Sequence, residues 1–178
     1  MKIVLCSASP RRKELLRRIV SEFTVRTAQT DENIQEADCE QRVQALALRK
    51  ARAVVMQAGE VLLGADTLVC LGTEILGKPC DRADAARMLR LLSGQVHQVY
   101  TGVTLIEVCA DGSLREKSFY EETNVHVCQM TKDEIASYVA TGEPLDKAGA
   151  YGIQGTFSIY VSGIEGDYFN VVGLPISR

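Results

Sequence analysis

The sequence predicts an α/β protein built on a mixed sheet. Early in the chain, short apolar β-branched runs alternate with stretches of helical periodicity, as in strands joined through helices. Later, two long β-rich segments flank Asp111-Gly112, a dipeptide that favours a hairpin turn. A length of 178 residues, 46% hydrophobic and 24% charged, suits one well-cored domain, expected to run over 1–178 without an internal repeat or linker.

The elements follow in order. Lys2 to Cys6 (KIVLC) reads as a buried strand. Ser9 then serves as N-cap and Pro10 as first helical residue of a helix carrying Leu15, Leu16 and Ile19. Phe23 to Arg26 is a short strand, and Thr30-Asp31-Glu32 a polar connection. The next helix runs from about Glu40 to Ala58, with an apolar stripe at Val43, Leu46, Ala47, Ala51, Val54 and Val55. Val61 to Cys70 is a strand, turning at Gly72-Thr73 into a partner strand, Glu74 to Leu76. Asp81 caps a helix that carries Ala85, Met88, Leu89 and Leu92 and stops at Gly94. Gln95 to Cys109 and Leu114 to Cys128 form the hairpin. Thr131 and Glu134 make a capping box for a helix that ends at Gly142. A glycine-rich loop, Asp146 to Gly155, leads to a strand over Phe157 to Val161.

Bulk properties narrow the function. A net charge of −3 gives no electrostatic footprint for nucleic acid, but leaves room for a local basic pocket. No apolar stretch approaches the roughly 18 residues of a membrane span, and the first apolar run breaks at Ser7, so neither a signal peptide nor a membrane partner is expected. The six cysteines form no C-x-x-C pair, and with two histidines a zinc site is not expected. Reduced thiols in a cytoplasmic protein are the expectation.

Three charges sit where apolar residues belong. Arg12 lies on the helix face of Leu15 and Leu16, Lys50 falls on the stripe of Val43, Leu46, Ala47 and Val54, and Asp66 interrupts VLLGADTLVC. A long basic side chain can reach water along an apolar face, and a lone aspartate can be a hydrogen-bonded structural group. Together, however, they point to a polar cleft for an anion, since buried unpaired charge costs several kcal/mol. Arg11 and Arg12 stand at the positive end of a helix dipole, where cations are repelled. Free backbone N–H groups and two guanidinium forks at that end suit a multiply charged phosphate ligand. Ser7, Ser9 and Lys78 in LGKP add donors, and Asp146, Lys147 and Gln154 can face a ligand from the glycine-rich loop. No P-loop, dinucleotide fingerprint, G-x-S-x-G elbow or H-E-x-x-H motif is present. A polyphosphate would bring a divalent metal, for which Asp66 and Glu32 are the first candidates and Asp146 the next. Direct attack by water, activated by a carboxylate, is the simplest chemistry for this residue set.

SASPRR (Ser7 to Arg12), LGADT (Leu63 to Thr67), GKP (Gly77 to Pro79), YTGV (Tyr100 to Val103), GEPLDKAGAYGIQG (Gly142 to Gly155) and GDYFNVVGLP (Gly166 to Pro175) occur in that order. Over nearly its whole length the chain thereby resembles the Maf nucleoside triphosphate pyrophosphatases, also called septum formation inhibitor proteins. The resemblance implies metal-dependent hydrolysis of a nucleoside triphosphate to monophosphate and pyrophosphate, with Mg2+ or Mn2+, and Co2+ also suited. It implies an inosine triphosphatase-like fold, an elongated mixed sheet around a deep cleft, with a homodimer as one expected state. It makes Asp66 the catalytic base, Glu32 a metal or water ligand beside it, and Lys50 a catalytic and phosphate-binding cation. Ser7, Arg11, Arg12 and Lys78 would hold phosphates and Gln154 would face the nucleotide. Asp31 and Asp146 remain alternatives to Glu32 as second carboxylate. Thr67, directly after Asp66, matches the branch selective for dTTP, UTP and modified uridine triphosphates. The competing readings are a nucleotide-binding regulator of cell division without catalysis, and hydrolysis of another phosphoanhydride such as a dinucleotide polyphosphate.

Overall fold

The computed structural model describes residues 2–31 and 38–178. Strand β1 (Lys2–Leu5) leads to helix α1 (Pro10–Arg17), strand β2 (Thr24–Val25) and helix α2 (Cys39–Arg52). Then come β3 (Glu60–Leu71), β4 (Glu74–Leu76), α3 (Arg82–Leu92), β5 (Val96–Val108) and β6 (Leu114–Val127). Helix α4 (Lys132–Ala140) is followed by 3-10 turns over Glu143–Asp146, Ala148–Ala150 and Thr156–Tyr160, then β7 (Val161–Glu165) and α5 (Tyr168–Val172). The strands form a seven-stranded sheet in the order β2-β1-β3-β5-β6-β7, with β4 paired to β3. Pairing is parallel for β1 with β2 and β3, and antiparallel for β3 with β4 and β6 with β7. The sheet is therefore mixed, as the two halves of the sequence predict. Among the described residues no helix is long and apolar enough to cross a membrane.

The chain divides into two compact units. The first comprises Met1–Thr67, Thr101–Glu121 and Gly173–Arg178, the second Leu68–Tyr100 and Glu122–Val172. In the first unit the core includes Val4, Cys6, Ala51, Val54, Leu62, Ile106 and Val108. Helix α1 starts as its sequence dictates: Ser9 is extended and its hydroxyl accepts from the Arg12 N–H at 3.5 Å, with Pro10 next. It stops at Arg17, so Ile19 lies beyond it and is 59% exposed. Helix α2 also stops early, at Arg52 rather than near Ala58. The β-branched pair Val54-Val55 is a poor continuation; Val54 is buried, Val55 is exposed, and the Val55 carbonyl accepts from the Arg26 guanidinium at 2.6 Å. Arg26 also grips both carboxylate oxygens of the buried Glu60, at 2.6 and 2.9 Å.

Two glycines set the seat of α2. A Cβ on Gly64 of β3 would overlap the Ala47 carbonyl oxygen and stand 2.9 Å from the Ala51 Cβ. One on Gly102 of β5 would overlap the Val43 carbonyl and stand 2.7 Å from the Gln44 nitrogen. Helix backbone thus lies directly on strand backbone, at a distance that glycine alone permits.

In the second unit, Asp81 caps α3 through the Asp84 N–H at 2.8 Å, and Thr131 and Glu134 form the expected capping box of α4. The strand expected over Phe157 to Val161 is instead the 3-10 turn Thr156–Tyr160, with β7 beginning at Val161. Fully buried Phe157 explains the difference: its ring packs on those of Tyr138, Tyr151 and Tyr160 at centroid distances of 5.2, 4.7 and 5.6 Å, while Ile159 turns outward, 71% exposed. A strand would have turned both residues to the same face. The expectation of six reduced thiols also needs correction. Cys39 and Cys70 are disulfide-bonded, whereas Cys6, Cys80, Cys109 and Cys128 are free. Cys39 opens α2 and Cys70 lies in β3, and no short spacing motif announces either.

His97 in β5 is fully buried, its Nε2 2.8 Å from the Tyr151 hydroxyl and its Nδ1 without a hydrogen-bond partner among the described residues. Burial, with a smaller contribution from His126, pushes its pKa from 6.5 down to about 4. The unfolded chain therefore takes up a proton that the folded one refuses. This contribution to stability is complete above pH 6.5 and is lost progressively as pH falls towards 4, roughly 3 kcal/mol in all. Denaturant unfolding of wild type and His97→Gln at pH 7 and pH 4.5 should show the wild type losing more stability on acidification. Equal losses would contradict a buried neutral histidine.

Candidate active site

The chain order reverses direction around β1. From β1 the chain moves through α1 to β2 on one side, then through α2 to β3 on the other. Ligands of open α/β sheets bind outside the carboxyl ends of the strands at such a reversal. Strand β1 pairs with β3 as far as Leu5 opposite Leu63, and the Cys6 N–H makes a further rung to the Leu63 carbonyl at 2.8 Å. Strand β3 continues, so Asp66 and Thr67 stand just past the end of β1, where Ser7 to Ser9 lead into α1.

Neighbouring residues of a strand point to opposite faces, and here they meet different helices. Asp66 meets α2: the Lys50 Nζ donates to Asp66 Oδ1 at 2.5 Å, with the two side chains 18% and 13% exposed. Lys50 is brought there by the seat of α2, because Ala47 and Ala51 press on Gly64, two residues before Asp66 on the same face of β3. Thr67 meets α1: the Arg12 Nη2 donates to Thr67 Oγ1 at 2.9 Å. Arg12 is buried and also donates from Nη1 to Ser7 Oγ at 3.1 Å and from Nε to the Gly173 carbonyl at 2.8 Å. Thr67 Oγ1 lies 2.9 Å from the hydroxyl of fully buried Thr101.

Ser7, Arg12, Lys50, Asp66 and Thr67 are thus gathered in the first unit around the end of β1. Arg11, one residue along α1, is half-buried and its guanidinium has no partner among the described residues. Lys78 and Gln154 belong to the second unit. Both are exposed and neither side chain is engaged by a described residue. The Lys78 turn is tied to the glycine-rich segment by the Gly149 N–H to Gly77 carbonyl bond, 3.1 Å. Glu32 lies outside the described residues. Of its alternatives, Asp31 offers its carbonyl to Arg49 at 2.6 Å, and Asp146 is paired with Lys147 at 2.6 Å.

Two groups escaped the sequence reading. Thr101 carries a polar atom into an apolar strand, and YTGV marked it only as part of a motif. Glu143 accepts from the Tyr138 hydroxyl and the Thr156 N–H, both at 3.0 Å, and a Cβ on Gly155 would overlap its carboxylate. Gly155 is therefore a glycine because a carboxylate fills the space beside it.

Among the described residues no three His, Cys, Asp or Glu side chains converge as a ready-made metal cage. Asp66 still suits a magnesium-like ion. Such ions take one or two carboxylates and complete their shell with water and substrate phosphates, and Lys50 engages only one of the Asp66 oxygens.

The family model described as Maf-like protein matches residues 2–178. A dTTP/UTP pyrophosphatase of Koribacter versatilis is 52% identical over 100% of this chain and 91% of its own. Those of Moorella thermoacetica and Agathobacter rectalis are 52% and 47% identical, over 98% and 99% of this chain and 90% and 93% of their own. Among solved structures, a HAM1 protein from Coxiella burnetii is similar in fold, with a TM-score of 0.50, 15% identity and coverage of 86% of this chain and 88% of that one.

Proposed function

This chain belongs to the Maf-like family, and from that premise we propose that it hydrolyses nucleoside triphosphates to the monophosphate and pyrophosphate, with dTTP and UTP as substrates. The observation that carries the proposal is the Lys50–Asp66 pair at the reversal between β1 and β3. It sets a carboxylate beside a cation where the fold presents ligands. Full-length relatives named dTTP/UTP pyrophosphatase support the reaction and the substrate.

In the proposed step a water oxygen attacks the α-phosphorus. The bond from that phosphorus to the bridging oxygen breaks, and pyrophosphate leaves with the bonding electrons. The water proton passes to the Asp66 oxygen not engaged by Lys50. Lys50 orients the carboxylate and offers positive charge to the phosphoryl oxygens. Arg11, whose guanidinium has no partner among the described residues, is proposed to grip phosphate together with Ser7 and Arg12, which meet at the end of β1. Lys78 and Gln154 are proposed as further substrate contacts, testable by Lys78→Met and Gln154→Ala. The metal would be a divalent cation held by Asp66, with Glu32 as the proposed second ligand. When bound it would neutralise phosphate charge and polarise the phosphorus for attack. The protein is proposed to act in the cytoplasm as one nucleotide-hydrolysing domain, without nucleic-acid or membrane partners.

Pyrophosphate release across a panel of standard and modified nucleoside triphosphates, with Mg2+ or Mn2+, tests the proposal. Turnover should be fastest with dTTP and UTP. Tight binding without turnover of any member would instead favour a non-catalytic regulator.

A further inference from the structure

Gln154 combines an exposed side chain with a closely held backbone. It is the third residue of a tight turn, closed by the Gly155 N–H to Gly152 carbonyl bond at 3.1 Å, and its neighbour Ile153 is buried. Both flanks of the turn lead to one carboxylate. On the far side the Thr156 N–H donates to Glu143 Oε2 at 3.0 Å. On the near side the Gly152 N–H donates to the Tyr138 hydroxyl at 3.3 Å, and that hydroxyl donates to Glu143 Oε1 at 3.0 Å. Glu143 is itself held: its N–H donates to Thr141 Oγ1 at 3.1 Å, and its carbonyl accepts from Lys147 Nζ at 2.7 Å. The carboxylate fills the space inside the loop, since a Cβ on Gly155 would overlap it and one on Gly152 would lie 3.2 Å from Oε1. The same loop keeps fully buried Ala150 at a φ of 58°, a left-handed conformation that persists in a non-glycine residue only where surrounding contacts impose it. A carboxylate offers two acceptor oxygens and no donor, which matches the two donors that face it.

We propose that Glu143 is a positioning residue: by tying both ends of the Gly152–Gly155 turn, it holds Gln154 in the orientation that meets the nucleoside part of the substrate. This deepens, and rests on, the proposed reading of Gln154 as a substrate contact. A turn ordered before the substrate arrives spares binding the cost of ordering it.

A double-mutant cycle tests this with dTTP kinetics and with calorimetric binding of the α,β-methylene analogue of dTTP, which has no bridging oxygen to expel from the α-phosphorus. Gln154→Ala and Glu143→Ala should each raise the KM for dTTP about tenfold, with kcat changed less than about threefold. The double variant should stand within about threefold of Gln154→Ala, because Glu143 reaches the substrate only through Gln154. Glu143→Gln, which keeps one acceptor oxygen, and Tyr138→Phe, which keeps the ring and cuts one tie, should raise KM about threefold. Affinity for the analogue should fall by the same factors. Unchanged KM and affinity in Glu143→Ala or in Gln154→Ala would overturn the proposal, as would wild-type protein that does not bind the analogue. Effects that multiply to about a hundredfold in the double variant would also overturn it, marking a merely structural carboxylate. If melting shows Glu143→Ala to be unfolded, Tyr138→Phe closes the same cycle with Gln154→Ala. Binding of the analogue without release of pyrophosphate from dTTP would overturn the pyrophosphatase reading alone, and the cycle in affinity would still decide the role of Glu143.

Discussion

Asp66→Asn is expected to fold, to bind nucleotide and to release pyrophosphate on the order of 10²- to 10⁴-fold more slowly than wild type, the range that a positioned general base contributes. The substitution is conservative in the way that matters. An asparagine carbonyl can still accept the Lys50 Nζ, which now donates to Asp66 Oδ1 at 2.5 Å. What is lost is the second oxygen's ability to take a proton. Kinetics with dTTP, set beside equilibrium binding of the same nucleotide, check this. If the variant keeps near wild-type turnover, the base lies elsewhere, and Glu32, Asp31 and Asp146 are next in line.

Gly64→Ala should be among the most damaging small substitutions in the chain. The added methyl would overlap the Ala47 carbonyl oxygen and meet the Ala51 Cβ at 2.9 Å. Backbone cannot rotate aside as a flexible side chain can, so α2 must shift or β3 must bend. Overpacking costs about 1–3 kcal/mol, and the upper end is expected where the added methyl meets backbone, a large share of the roughly 5–15 kcal/mol that holds a domain folded. The expected fall in Tm is about 10 °C. Because the same contact seats Lys50 against Asp66, whatever folds should also have lost most of its pyrophosphatase activity. Gly77→Ala is the matched control, since its Cβ would meet nothing within 4 Å, and its Tm should stay level or rise slightly. Equal melting of the two variants would show that α2 does not rest on Gly64.

Much of this site was legible in the sequence because charge is conspicuous on an apolar pattern. Lys50 on the stripe of α2 and Asp66 inside β3 were each anomalous alone, and their pairing at 2.5 Å resolves both anomalies. Ser9-Pro10, Asp81 and the Thr131–Glu134 box fixed three helix starts, because capping is local chemistry. What stayed hidden depends on partners distant in sequence. Phe157 forms a 3-10 turn rather than a strand because a cluster of tyrosines receives its ring. Val55 fits the helical stripe but lies beyond the end of α2, where its carbonyl serves Arg26. Thr101 and Gly173 reach Arg12, directly or through Thr67, from chain segments far from α1, and a hydroxyl or a carbonyl leaves no periodic trace. Arg12, read with Arg11 as a phosphate fork, is tied within the fold at three donor positions by partners that the sequence does not announce.

In the proposed reaction the Lys50–Asp66 pair serves attack at the α-phosphorus of a nucleoside triphosphate. The most direct test is to resolve the products of dTTP hydrolysis in water enriched in 18O. Attack at the α-phosphorus yields dTMP and pyrophosphate in equal amounts, with the label in the dTMP phosphate. Release of orthophosphate with dTDP, or label in the pyrophosphate, would contradict it.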